Sequence, residues 1–299
     1  MKKFLVGALI TLMVLLLTAL MVISWTLSSK LLYPKSNCRV SHYIYCKGPD
    51  ELSLDFEEVE FKTSDDVLLS GWFIPAKGSS KTIIMIHGHG GSRLEGLRFT
   101  PALHQAGYNV LLYDSRIFSK GSKAFASMGY HEQKDVKAAI AFVLARNETA
   151  KIGILGYSMG AATGILTMAV DNRIAAGAFS SSYASVVDEL SDVGRRDFGI
   201  PDFPLLTMSI AVANLRGNMN LYDVIPEDAI ARISPRPVLI MHCDGDDYID
   251  YNHALRVYNA AKEPKEMWTA GCNGHERVWN SDPEKAESVV VSFFDRHLR

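Results

Sequence analysis

Hydrophobic and polar positions divide the chain into a bare apolar front and a long alternating body. Between Lys3 and Lys30 no residue is charged, a run beyond the ~20 residues needed to cross a bilayer. A cleavable signal peptide has a shorter apolar region, of about 7–15 residues, closed by a small-residue cleavage site. Neither feature is evident, and no cysteine ends the run to suggest a lipoprotein. Residues 1–29 therefore read as a retained signal anchor with its span at 4–27, the alternative being a long signal peptide that is removed. Residues 30–55 read as a juxtamembrane connector and 56–299 as the folded body.

In the body, "VEFKTSDDVLLSGWFIPA" alternates around Ser64-Asp65-Asp66 and predicts an antiparallel hairpin. "KTIIMIHGHGG" predicts a buried strand ending in glycines, "GLRFTPALHQAG" a helix closed by Gly107, and "YNVLLYD" the next strand. "GYHEQKDVKAAIAFVLAR" has helical spacing through Val136, Ile140, Phe142 and Val143. Strand, helix and strand follow in "KIGILGYS", "MGAATGILTMAV" and "IAAGAFSSS"; later come "RPVLIMHC", "YNHALRVYNAA", "KEMWTAG" and "PEKAESVVVSFFDRHL". Apolar strands alternating with helices predict a mostly parallel sheet covered on both faces. Ligands of such sheets gather outside the carboxyl ends of the strands. Residues 185–233, with Pro201, Pro204 and the apolar "FPLLTMSIAVANL", are too long for an ordinary connection and predict a short helical cap.

Candidate chemistry sits where these strands end. "GYSMG", Gly156 to Gly160, is G-x-S-x-G between strand and helix, the context of a nucleophile elbow that presents Ser158 above the sheet. The helix after it aims its N-terminal dipole and the Met159 amide at developing negative charge. "HGHGGSR" follows an earlier strand, and its glycines let the His89 amide serve as a second oxyanion donor. The His89 side chain is expected in solvent rather than on the pocket wall. Of the nine histidines, His87 and His242 end strands and read as structural. His104, His131, His253 and His297 fall on helices or their ends, and His42 lies in the connector. His275 differs: "AGCNGHERVW" places it in a Gly-containing loop between the last strand and the last helix, within reach of a serine. Chain order Ser, acid, His then puts the acid in "MHCDGDDYID", among Asp244, Asp246, Asp247 and Asp250. The same carboxylates fail as an EF-hand, since Tyr248, Ile249 and Leu255 occupy positions needing a ligand, a glycine and a glutamate.

On "MIHGHGGSR", "YDSRIFSKGSK", "GYHEQKDVKAAI", "LGYSMGAATG", "MHCDGDDYID" and "GCNGHERVW", residues from about 57 to 298 resemble the α/β-hydrolase superfamily. The likeness is nearest to bacterial membrane-anchored serine hydrolases of the Bem46-like and serine-aminopeptidase-like branches. It implies an α/β-hydrolase fold and a triad of Ser158, His275 and an acid, which the family register places at Asp246 with Asp247 as the alternative. It implies no cofactor. Where relatives show D-x-R-G-x-G-x-S, this chain has "DSRIFSKGS". Asp114 and Arg116 are present, but Ile117 and Ser119 replace glycines, so that loop is expected to take another path. The expected reaction is acyl transfer on a small-molecule or lipid-like carboxylic ester. A serine exopeptidase and a non-catalytic scaffold are the alternatives, because fold and triad serve many substrates.

Charge and cysteine content then restrict the setting. Lys and Arg number 31 against 33 Asp and Glu, which gives no basic face for nucleic acid. Lys2 and Lys3 favour an inward N-terminus, while Lys30, Lys35 and Arg39 follow the span closely and nearly balance them. With no second span, the hydrolase body is expected outside the cytoplasm, Trp25 and Tyr33 at the interface. Cys38, Cys46, Cys243 and Cys272 match no zinc spacing. Cys38 and Cys46 can pair in an oxidising compartment. Cys243 and Cys272 precede the acid and histidine loops, where a disulfide would tie the two together; the alternative is two buried thiols.

Overall fold

The computed structural model describes residues 2–36, 38, 40–119 and 124–298. Arg39, weighed above for orientation, and residues 120–123 of the departing loop lie outside them. Among the described residues eight strands form one sheet in the order β1-β2-β4-β3-β5-β6-β7-β8. They are β1 (Glu57–Lys62), β2 (Leu68–Ile74), β3 (Lys81–Ile86), β4 (Asn109–Tyr113), β5 (Lys151–Tyr157), β6 (Ile174–Ser180), β7 (Val238–Gly245) and β8 (Lys265–Asn273). Only β2 runs against its neighbours; all other pairings are parallel.

The buried central strands read as near-continuous apolar runs because helices cover both faces. The helices are α1 (Lys2–Leu32), α2 (Val40–Tyr43), α3 (Thr100–Gln105), α4 (Glu132–Arg146), α5 (Met159–Met168), α6 (Val186–Phe198), α7 (Thr207–Gly217), α8 (Pro226–Ile230), α9 (Tyr251–Ala260), α10 (Val278–Ser281) and α11 (Pro283–His297). Val136, Ile140 and Val143 of α4 join Ile165 of α5 and Val257 of α9 in one core layer. Leu103 of α3 and Val290, Phe293 and Phe294 of α11 form the other. The helix expected over 96–107 is split: residues 93–98 form a 3-10 turn, and α3 begins only at Thr100, with Pro101 in its first turn.

α1 is long and apolar enough to cross a membrane. It does not end in a loose connector. From Ser24 onward it packs along α7, and its last residue, Leu32, is fully buried in the core. Ser24 and Ser28 are buried on α1, and Ser209, Ala213 and Gly217 are buried on α7, small side chains at helical spacing that permit close approach of the two helices. Arg216 locks this contact. Its guanidinium lies 3.9 Å from the Trp25 ring centroid and donates to the Trp25 carbonyl at 3.0 Å and the Ser29 hydroxyl at 2.8 Å. Residues described between 33 and 56 likewise dock on the body through bonds from Arg277 to the Ser41 carbonyl and Asn280 to the His42 carbonyl, and the Cys38–Cys46 disulfide closes this segment on itself.

Candidate active site

The ends of β3, β5, β7 and β8 converge on Ser158. The turn from β5 into α5 holds Ser158 at φ 51°, ψ −118°, a conformation strained for any residue with a Cβ. The flanking glycines are sterically required. A Cβ on Gly156 would lie 2.5 Å from the Gly160 carbonyl oxygen, and one on Gly160 would lie 2.6 Å from the His87 carbonyl oxygen and closer still to that of Ile86. The Ser158 amide donates to the Ser180 carbonyl at 2.8 Å, which fixes the turn to β6.

His275 places Nε2 3.0 Å from the Ser158 hydroxyl and Nδ1 2.9 Å from an Asp246 carboxylate oxygen. The other Asp246 oxygen accepts the amides of Tyr248 and Ile249 at 2.9 and 3.0 Å. Burial raises the Asp246 carboxyl pKa, but bonds from His242 and His275 overcome this and hold it well below the usual range. Burial alone would lower the His275 pKa; the bond to Asp246 and the charge of Glu276 reverse it, lifting the imidazole above its ordinary 6.5.

The remaining acids of the cluster have other partners. Asp244 accepts the Cys272 amide at 3.1 Å, Asp250 caps α9 through the Asn252 amide at 2.8 Å, and Asp247 is exposed at the cavity edge. Cys243 and Cys272 form a disulfide with Cα atoms 5.0 Å apart. Beside it the Gly274 amide donates to the Gly245 carbonyl at 2.9 Å, so the acid and histidine turns are joined twice.

On the opposite wall the loop after β3 is held by Glu95. Its carboxylate accepts the Gly88 amide at 2.8 Å, while the Gly91 amide closes the turn on the Gly88 carbonyl at 3.1 Å. The His89 amide stands between them. The His89 ring departs from expectation: half-buried, it places Nε2 2.8 Å from the Leu31 carbonyl at the end of α1, and burial lowers its pKa. His87 is structural, accepting the Ser115 amide at Nε2 and donating from Nδ1 to the Gly88 carbonyl. His242 binds the Ile249 carbonyl at 2.9 Å and so braces the acid loop. His104, His131, His253 and His297 find partners away from the serine. In the departing loop Asp114 receives the Arg93 amide at 2.8 Å, and Arg116 bridges Asp135 at 2.8 Å and Asp65 at 3.0 Å.

A polar cavity of about 540 Å³ opens over Ser158. Several of its residues carry no sequence signal: Pro34, Lys35, His42 and Tyr43 come from the docked connector, and Glu95 and Glu276 meet from distant loops. Glu276 lies 4.0 Å from His275 Nε2 and 3.7 Å from His42 Nε2. Burial, with the Glu276 carboxylate adding to it, pushes Glu95 up to about 8. Burial and the charge of Arg98 lower His42 to about 4. One ligand atom from each of His42, Glu95 and Glu276 lies within 4.8 Å of the others. Arg98, 3.3 Å from Glu95, already supplies positive charge there.

A doubly covered, mostly parallel sheet with a serine elbow at its centre defines the class: the chain has the α/β-hydrolase fold. Residues 81–204 match the family model for the alpha/beta hydrolase fold. The uncharacterized protein YqkD of Bacillus subtilis is 27% identical over 230 residues, which cover 76% of this chain and 75% of that protein. The uncharacterized protein YfhR of Escherichia coli O157:H7 is 29% identical over 231 residues, covering 74% and 72%. Among solved structures, the Pyrococcus furiosus esterase Pf2001 superposes with a TM-score of 0.71 at 26% identity, covering 89% of this chain and 100% of that one. These likenesses support a hydrolase.

Proposed function

We propose that the protein is a membrane-anchored serine hydrolase that cleaves carboxylic esters through Ser158, His275 and Asp246. The observation that carries the reading is the unbroken hydrogen-bonded chain from the Ser158 hydroxyl through His275 to Asp246, at 3.0 and 2.9 Å. His275 accepts the hydroxyl proton as the serine oxygen attacks the ester carbonyl, and Asp246 supports the imidazolium that forms. The amides of His89 and Met159 hold the oxyanion, each worth about 10²–10³ in rate. Collapse expels the alcohol with the proton from His275. Water, deprotonated by the same imidazole, then releases the acid and restores Ser158.

The likeness to the Pyrococcus esterase favours an ester. α1 favours membrane attachment, and the two disulfides favour a body in an oxidising compartment, outside the cytoplasm. The segment over 185–233 serves as the cap, and the overall pattern is compatible with the Bem46-like branch. One observation favours an exopeptidase instead: Glu276 faces the polar cavity, where a carboxylate would receive a substrate ammonium. Fluorophosphonate labelling that disappears in Ser158→Ala, followed by comparison of p-nitrophenyl esters with aminoacyl anilides, tests both. Absence of labelling in the folded protein refutes the serine mechanism.

A further inference from the structure

Two cavities flank the elbow and share His89. The second, of about 280 Å³, is walled by Leu27 and Leu31 of α1, Leu190 and Gly194 of α6, and Ile210 of α7. Tyr248 also lines it, with its ring centroid 5.2 Å from that of His275. The volume falls just under the ~300–1,000 Å³ that enclose whole drug-sized ligands, which suits one alkyl tail. The hydrogen-bonded chemistry at Ser158 makes no use of this space.

α1 sets the height of this cavity. From Phe4 to Ile23 the helix is bare apart from the half-buried Leu20, and burial starts at Ser24. At about 1.5 Å per residue, 4–23 spans about 30 Å, the thickness of bilayer hydrocarbon. Leu27 then lies about 6 Å, and Leu31 about 12 Å, past the end of that span. With the span at 4–23, shorter than the 4–27 read from the apolar run because burial against the body starts at Ser24, no spacer would separate the bilayer from the hydrolase. Phe203 and Leu215, 78% and 84% exposed, belong to segments packed on α1 and add apolar surface beside it.

We infer that the small cavity takes the acyl chain of an ester drawn sideways from the leaflet on which the hydrolase sits. The last turns of the N-terminal helix form one wall of that acyl site. The inference rests on the serine esterase reading: the carbonyl meets Ser158, the alcohol portion occupies the larger polar cavity, and water completes the cleavage to acid and alcohol.

Gly194 gives a clean test, because a Cβ there meets nothing nearer than the Ile200 carbonyl oxygen at 3.9 Å. Full-length protein is placed in phosphatidylcholine vesicles doped with dioleoylglycerol, and p-nitrophenyl acetate, octanoate and palmitate are supplied separately. Gly194→Leu fills the cavity and lowers the octanoate-to-acetate ratio of kcat/KM by roughly tenfold or more, the discrimination that one methylene meets in an apolar pocket. Leu27→Ala widens it and shifts the profile toward palmitate, a gain that a misfolded variant does not give. About eight Gly-Ser residues inserted after Ile23, with ~15 Å of reach, abolish dioleoylglycerol cleavage and leave octanoate cleavage intact. An unchanged chain-length profile in both point variants overturns the acyl site. Equal dioleoylglycerol cleavage with the spacer overturns membrane delivery and points to esters from solution. A native protein that cleaves no ester and takes no fluorophosphonate instead overturns the serine esterase reading itself.

Discussion

Gly160→Ala is the most searching single substitution at the elbow. The added methyl group would lie 2.6 Å from the His87 carbonyl oxygen and nearer to that of Ile86, whereas real Cβ contacts stay above 3.0 Å. Both obstructing atoms are backbone at the end of β3, so no side chain can swing aside. The start of α5 and the end of β3 must part by several tenths of an ångström against His87 and by more against Ile86. Overpacking of this kind costs about 1–3 kcal/mol, which for a chain of this size lowers Tm by roughly 3–10 °C. The activity cost is larger in proportion, because the movement separates Ser158 and the Met159 amide from the His89 amide. A misplacement of ~1 Å at a reacting centre costs about 10²-fold in rate. Thermal unfolding and the rate of fluorophosphonate labelling measure the two effects. Gly194→Ala is the control: it has open space and removes a helix glycine, so stability rises by about 0.5–1 kcal/mol. If Gly160→Ala labels at the native rate with an unchanged Tm, the close approach of α5 to β3 does not position the nucleophile.

Three further outcomes are expected. Asp246→Asn lowers kcat by about 10³–10⁴ through loss of the imidazole tautomer, whereas Asp247→Asn stays within about threefold; equal losses would reassign the acid. Removing the Cys243–Cys272 bond as a double alanine variant opens a link across 29 residues, costing about 3–4 kcal/mol in unfolding free energy; a loss below 1 kcal/mol in denaturant titration would show that hydrogen bonds alone hold the two turns. Because the proposed mechanism needs neutral His275 and its pKa is raised, kcat/KM is expected to fall with acid at a midpoint above 6.5. Glu276→Gln removes a charge 4.0 Å from Nε2 and moves that midpoint down, while movement upward would contradict the placement.

Local sequence carries the strands and the elbow because both depend on near neighbours. "KIGILGYSMG" contains the apolar run, the two glycines and the helix start that produce the strained turn at Ser158. His275 was legible from its loop and chain order confined the acid to one loop, where the family resemblance pointed to Asp246; the fold separates Asp246, which turns inward between its own loop amides, from the exposed Asp247. The docking of α1 was not legible in the same way. A uniformly apolar segment gives no face to read, and the pattern Ser24, Ser28 against Ser209, Ala213, Gly217 acquires meaning only once α7 is known to lie alongside. His89 shows the same limit: its partner, the Leu31 carbonyl, is backbone at the far end of the chain. Glu276 and Glu95 meet through two distant loops, and nothing local marks either.

The covalent link between β7 and β8 divides the site mechanically. Asp246 and His275 follow one stapled pair of neighbouring strands, and Ser158 follows β5, separated from them by β6. Breathing of the sheet therefore leaves the contact between Asp246 and His275 nearly constant and is felt as a change in the gap between imidazole and hydroxyl. In the proposed mechanism the pair is a preset proton acceptor brought to a separately mounted nucleophile, and strain across the two ladders that β6 makes with β5 and β7 becomes the adjustment that tunes the attack distance.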